Sequence, residues 1–275
     1  QYLAEHGEFS GTLNLIFQPA EESLGGAKRM IEDGLFKKFP CDAVFAMHNM
    51  PGFKQGKLMF REGAAMASSD YVTITLTGKG GHGAMPHLAT DPIVATASII
   101  MALQTIVSRN ADPQETAVVT VGSVQAGKAN NVIPNTAVLE LSVRSLSREL
   151  RELIEHRLKD IVVSQARSFG VEAHIDYRQG YSVLVNTPDE TEFAREIGRK
   201  LLGADNIDPQ CAALTASEDF AFMLEELPGC YLFIGNGERG VPGGCEVHNP
   251  GYDFNDRNLP IGAAYWALLA EHYLR

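Results

Sequence analysis

The stretch YVTITLT, Tyr71–Thr77, alternates without a break. Val72, Ile74 and Leu76 fall on one side of an extended chain. Tyr71, Thr73, Thr75 and Thr77 fall on the other, because successive strand side chains point to opposite faces. This predicts a strand with one face in a core and one face wet, the habit of antiparallel sheets. A glycine-rich connection, GKGGHGAMPH at 78–87, leads to an apolar helix from about Pro92 to Ser108, opened by Asp91-Pro92. Two strands follow, near Thr116–Val124 and Thr136–Arg144. A long amphipathic helix runs from about Ser147 to Phe169, capped by Ser147 and closed by Gly170. Val171–Tyr177 is a last alternating strand. The order is β-α-β-β-α-β, the split βαβ or ferredoxin-like pattern, which is a complete unit with its own core.

On either side the pattern is α/β. Thr12–Phe17 reads as a strand with Leu13, Leu15 and Phe17 on one face, and Gly25–Asp33 as a helix ending at Gly34. Ala43–Met47 reads as a second short strand that ends at His48. Strand, helix, strand at this spacing predicts a βαβ unit and a parallel sheet. Residues 184–275 resume the same character, with helices near Asp189–Leu202 and Glu218–Glu226, a buried strand Cys230–Gly235 and a closing helix Pro260–Tyr273. The expected architecture is therefore α/β: a mostly parallel-sheet domain made of 1–68 and 184–275, interrupted by an inserted ferredoxin-like α+β domain at 69–183. The opening residues Gln1–Gly7 look like the end of a helix closing on Gly7, so an upstream part of the first domain is expected to be missing.

The chain carries a net charge of −11 over 275 residues, a field that repels phosphate backbones and argues against nucleic acid as a partner. No run of about 18 apolar residues stands out, so no membrane span is expected. Four cysteines, Cys41, Cys211, Cys230 and Cys245, are spread too thinly for a disulfide framework. They read as reduced thiols in a cytoplasm.

Chemistry is concentrated in three loops. Glu21 and Glu22 follow the apolar run closed by Pro19, where regular pairing would end and both acids could reach one site. Convergent carboxylates repel unless a cation neutralises them. For an isolated pair, an acidic first turn of the next helix is the simpler reading. His48 alone is more often a hydrogen-bonded structural residue. The third loop, EVHNPGYDFND at 246–256, shifts the balance by adding His248. Glu22, His48 and His248 would supply one oxygen and two nitrogens, a catalytic Zn²⁺ set with a position open for water, and Glu21 would be the free carboxylate beside it. Cys245 is a weaker ligand candidate, since a small buried thiol is common. In the inserted domain, His82 lies among glycines, Asn131 in the turn NNVIP, and Arg144 at the end of LELSVR, where its guanidinium could clamp a carboxylate. On pattern alone each of these is closer to structure than to function.

Taken together, FQPAEE, FAMHNMPG, GKGGHGAMPH, NNVIPNTA, ELSVRS, ASEDFAFM and VHNPGYDFND resemble the N-acyl-amino-acid amidohydrolase family of dinuclear metallopeptidases, the group that includes hippurate hydrolase and aminoacylase. The resemblance runs from end to end. It implies a catalytic α/β domain holding two divalent ions, Zn²⁺ or Mn²⁺, and a ferredoxin-like lid that often forms a homodimer. It implies amide hydrolysis of N-acyl amino acids, with Glu21 as general base and Glu22, His48 and His248 as metal ligands. It implies that His82 donates to the oxyanion, commonly that of the partner subunit, and that Asn131 and Arg144 lie near the substrate carboxylate. Ser217, Glu218 and Asp219 match a family stretch with a structural or supporting role. The family's upstream Cys-Gly-His-Asp-Gly-His stretch, which supplies two more ligands, is not in this sequence. The rival expectations are a related metallo-dipeptidase or aminopeptidase with the same site, and a non-catalytic dimerisation module.

Overall fold

The computed structural model describes residues 2–275; Gln1, the first residue of the expected opening helix, lies outside them. The chain divides into two compact units. Unit 1 comprises residues up to Ala65, Leu184–Ala213 and Asp219–Arg275, and unit 2 comprises Met66–Val183 and Leu214–Glu218.

The first part of unit 1 holds helices α1 (Tyr2–His6), α2 (Glu21–Leu24), α3 (Gly26–Glu32) and α4 (Leu35–Lys38), then strands β1 (Val44–Pro51), β2 (Leu58–Met59) and β3 (Gly63–Met66). Unit 2 holds β4 (Asp70–Thr77), β5 (Gly81–His82), α5 (Pro92–Thr105), β6 (Ala117–Ala126), β7 (Val132–Ile133), β8 (Thr136–Ser145), α6 (Arg148–Ser168) and β9 (Glu172–Gln179). Unit 1 resumes with β10 (Leu184–Asn186), α7 (Pro188–Leu202), β11 (Ile207–Asp208), α8 (Ala221–Glu226), β12 (Gly229–Gly237) and α9 (Asn258–Tyr273).

The main sheet of unit 1 has the order β1-β12-β2-β11. β1 runs parallel to β12 and β11 parallel to β2, but β12 and β2 are antiparallel, so the sheet is mixed rather than mostly parallel. Two other expectations need correcting. β1 does not stop at His48 but continues to Pro51, because β12 offers partners as far as Gly237. Thr12–Phe17 forms no strand. β1 is the edge of the sheet on that side and the segment does not pair with it, and Leu15 and Phe17 are 73% and 84% exposed. Alternation alone does not make a strand without a neighbour to satisfy its backbone.

Unit 2 has a four-stranded sheet in the order β6-β8-β4-β9 with every pairing antiparallel. This is the split βαβ topology. Val72, Ile74 and Leu76 are buried as the alternation required, beside Leu139, Leu141 and Val143 of β8 and Ile154, Leu158 and Val162 of α6. The helix caps follow the sequence: Asp91 accepts from the Ile93 amide at 2.8 Å and Ser147 from the Leu150 amide at 3.1 Å. α5 continues as a π-helical turn, Ile106–Asn110. With it, Pro92–Asn110 is long and apolar enough to cross a membrane by length and composition. Its Ala95, Ile99, Leu103 and Ile106 are instead buried in the core of unit 2.

One buried ion pair fastens that core. Arg151 of α6 donates to both oxygens of Asp70 at the start of β4, with Nε 3.0 Å from Oδ2 and Nη2 2.5 Å from Oδ1. The Tyr177 hydroxyl donates to Oδ2 at 2.8 Å. Burial, reinforced by the Asp70 charge, pushes the Tyr177 phenol well above its ordinary range. Removing one member of such a pair strands the other charge in a dry interior. Arg151→Met is therefore expected to lower the stability of unit 2 by about 3–5 kcal/mol. Combining it with Asp70→Leu should recover most of that loss. Urea denaturation of the single and double variants, compared with the parent, checks both expectations.

Candidate active site

The two acids of unit 1 sit on a single tight turn. Pro19 and Ala20 end the extended approach, and Glu21 and Glu22 open the one-turn helix α2. The acidic helical turn that the sequence allowed is therefore realised, and it also presents the pair at a loop tip. Ala20 has φ +53°, and only one other non-glycine residue among the described ones has a positive φ: His248, at +63°. Side chains in this region cost roughly 1–2 kcal/mol each. Such conformations persist where the surroundings over-determine them, and they cluster at working sites.

The structure brings these two strained positions together. Glu22 Oε2 lies 3.7 Å from His248 Nε2. This is longer than a hydrogen bond. It is close to the ~3.3–3.6 Å that separates two ligand atoms each 2.0–2.2 Å from one tetrahedral cation. One carboxylate oxygen and one imidazole nitrogen also have the donor chemistry of a divalent metal site. His48, on β1, holds its Nδ1 2.6 Å from the Asn49 carbonyl oxygen. That contact commits Nδ1 and leaves Nε2 for another partner, the usual second contact of a metal-ligating histidine. The expected three-ligand set is not assembled, however. Among the described residues no three His, Cys, Asp or Glu side chains converge on a metal position. Glu22 and His248 are largely exposed, whereas His48 is held by its own strand. Cys245 joins no such group either.

The loop bearing His248 is fixed by buried amides that the sequence reading missed. Asn236, fully buried at the end of β12, donates through Nδ2 to the carbonyls of Gly243 (2.8 Å) and Asp253 (2.9 Å). Its Oδ1 accepts from the Asn255 amide at 2.9 Å. Gly243, at φ +83°, passes so close that a Cβ there would lie 2.2 Å from the Asn236 carbonyl oxygen. Asn49, next to His48, donates to the Tyr252 hydroxyl at 2.5 Å and ties β1 to the same loop. Burial raises the Tyr252 phenol above its usual value, so it stays protonated. The available signal was the run Gly235-Asn236-Gly237 at the end of an apolar strand, where a polar side chain between glycines marks a close backbone approach.

In unit 2, His82 and Asn131 are neighbours. β5 pairs with β7, His82 opposite Val132, and the Gly83 amide donates to the Asn131 carbonyl at 2.7 Å. His82 Nδ1 accepts from the Ala84 amide at 3.1 Å. Arg144 is elsewhere: its Nη1 donates to the Ser217 hydroxyl at 2.9 Å. Asn131 lies in the connection entering β8 and Arg144 near its exit. The eight residue steps from Thr136 to Arg144 span on the order of 27 Å of strand. Asn131 and Arg144 therefore do not meet on one small carboxylate within one copy of unit 2.

The profile of Peptidase family M20/M25/M40 matches residues 1–272. The chain is 45% identical over its whole length to the hippurate hydrolase of Campylobacter jejuni, of which it spans 70%. It is 36% identical, over 93% of its length, to the N-acetyl-L-cysteine deacetylase of Bacillus subtilis, of which it spans 59%. A solved structure from Bacillus subtilis, a dinuclear metal-binding peptidase of the M20 family, superposes with a TM-score of 0.81 at 29% identity, covering 99% of this chain and 68% of that one. An end-to-end profile match, together with relatives at this identity, decides the question: the chain belongs to peptidase family M20/M25/M40.

Proposed function

We propose that this chain belongs to a metal-dependent hydrolase that cleaves the amide of N-acyl amino acids, hippurate-like substrates included, to a carboxylic acid and an amino acid. The observation that carries the reading is the approach of Glu22 and His248, residues from opposite ends of the sequence, to 3.7 Å. Its support from relatives is the hippurate hydrolase and the deacetylase to which the chain is similar. Glu22, His248 and His48 would hold a divalent cation, Zn²⁺ or Mn²⁺, in a site of two ions. Bound there, the cation supplies Lewis-acid activation of water and of the scissile carbonyl. Glu21 takes the proton from the attacking water and returns it to the leaving nitrogen, so the carboxylate is regenerated each cycle. His82 donates a hydrogen bond to the oxyanion. Arg144 holds the free carboxylate of the substrate through charge-assisted hydrogen bonds. All four cysteines are free thiols, which suits a reducing compartment and a cytoplasmic enzyme.

We further propose that unit 2 is a lid domain and forms a homodimer through β6 and α5. β6 is an edge strand whose register slips between Val121 and Ser123. α5, packed against β4, β6 and β8, exposes Ile93, Val94 and Met101. An open edge beside an apolar helix face is suited to a symmetric partner. A second copy also answers the separation along β8, by offering His82 and Asn131 to a substrate whose carboxylate is held by the first copy's Arg144.

Glu21→Gln is expected to cut hippurate turnover by ~10²–10⁴-fold while Zn²⁺ binding, measured by chelator competition, stays at the parental level. Turnover within tenfold of the parent rules out Glu21 as the base. For the dimer, His82→Ala and Arg144→Ala should each be nearly inactive alone. Coexpressed, they should regain about a quarter of parental turnover, because half the dimers are mixed and each mixed dimer has one intact set. No recovery in coexpressed dimers refutes the shared arrangement.

A further inference from the structure

Asp219 is fully buried in unit 1, in the loop before α8. Both of its carboxylate oxygens reach the same object. Oδ1 accepts from the side-chain amide of Gln18, a very short contact. Oδ2 accepts from the backbone amide of Ala27 at 2.8 Å. Gln18 is the last residue before Pro19, and Ala27 is the second residue of α3. Everything between them is the turn that carries Glu21 and Glu22. One carboxylate thus grips both stems of the acidic turn from nearly 200 residues away in sequence.

The turn needs such a grip. Ala20 and Gly25, at its two ends, are both in the left-handed region, with φ +53° and +63°. The stems approach so closely that a Cβ on Gly26 would lie 1.7 Å from the Pro19 carbonyl oxygen. α2 is a single turn, too short to hold its own shape. Without an outside anchor, Ala20 has every reason to relax to negative φ and swing both acids. A buried carboxylate without partners is costly, so Asp219 in turn holds its donors tightly.

We infer that Asp219 is a positioning residue for the reaction: it fixes the neck of the Pro19–Gly26 turn and so sets where the Glu21 and Glu22 carboxylates point. The assignment rests on the hydrolase reading for its catalytic consequence and on geometry alone for its structural one. It gives the ASEDF stretch a specific duty, carried by its acid and not by its helix.

The test uses the whole chain and three variants, Asp219→Ala, Asp219→Asn and Gln18→Ala. Backbone hydrogen exchange reads the turn directly, independently of activity. Asp219→Ala is expected to speed exchange of amides 20–27 by ~10-fold or more, leave β12 and α9 unchanged, weaken Zn²⁺ binding, and lower kcat on hippurate by ~100-fold with KM within threefold. Asp219→Asn keeps an acceptor for Ala27 and a donor for a rotated Gln18 amide. It should therefore restore slow exchange and bring kcat back to within ~10-fold of the parent. Gln18→Ala, which leaves the Ala27 contact in place, covers the case in which Asp219→Ala does not fold. It should loosen the same amides and no others. If the parent itself does not turn over hippurate, the hydrolase reading fails while exchange and Zn²⁺ affinity still judge the clamp. Unchanged exchange at 20–27 in Gln18→Ala and in a folded Asp219→Ala overturns the assignment, as does loosening spread evenly through unit 1.

Discussion

Everything in unit 1 depends on β12 having no wet face. All nine residues, Gly229–Gly237, are buried. β1 pairs on one edge and β2 on the other, while Leu232 and Ile234 pack into the same core as Tyr265 and Leu269 of α9. A strand buried on both faces reads as a continuous apolar run instead of an alternation, and Cys230–Ile234 is such a run. The same burial determines the fate of the thiols. Desolvation pushes Cys230 up to about 12 and Cys211 to about 11, so neither is a thiolate near neutral pH. The strand ends in Asn236, whose amide organises the loop that carries His248. The core therefore reaches the site through one side chain.

The site itself is assembled from conformations that the backbone does not favour. Ala20 and His248 sit in the left-handed region, and each belongs to a loop held from outside: one by Asp219, the other by Asn236 and Tyr252. Glu22 of one loop faces His248 of the other. At such exposed positions direct ion pairing contributes little, so it cannot be what holds the two strained loops in place. The buried hydrogen bonds at their bases do that. Strain at the tips and saturation at the bases are two parts of one design, in which carboxylate and imidazole are pre-positioned and not drawn together by their own attraction.

What could be read in the sequence follows from how local each signal is. Unit 2 was legible almost in full, because alternation in Tyr71–Thr77, the caps at Asp91 and Ser147 and the stop at Gly170 each depend on a few adjacent residues. Thr12–Phe17 was misread because its alternation is sound but alternation does not reveal whether a strand pairs with it, and none does in the sheet of unit 1. Glu218 and Asp219 were read as a helix start, whereas α8 opens only at Ala221 and Asp219 is pulled inward by donors far away in sequence. Residues 214–218, assigned to the flanking domain, belong with unit 2, where the Ala67 amide reaches the carbonyls of Leu214 and Ala216. The clamps at Asp219 and Asn236 were invisible for the same reason: nothing near them in sequence reveals partners in distant loops.

The geometry of β8 limits what one copy of unit 2 can do. Asn131 belongs to the connection at its start, with His82 of β5 paired beside it, and Arg144 to its end, and β4 is paired along the whole of Thr136–Val143 between them. No rotamer change closes a gap of many residues along a paired strand. A small acyl amino acid offers its carbonyl and its carboxylate only a few bonds apart, so with the roles proposed above a substrate gripped by Arg144 would be out of reach of the same copy's His82. In the dimer proposed above, two-fold symmetry resolves this without deforming either element, because an isologous contact presents the start of one copy's β8 where the other copy presents its end. The bulged edge of β6 and the apolar outer residues of α5 would then be the surface on which that symmetry is built, and His82 among its glycines would serve a substrate held by the other chain.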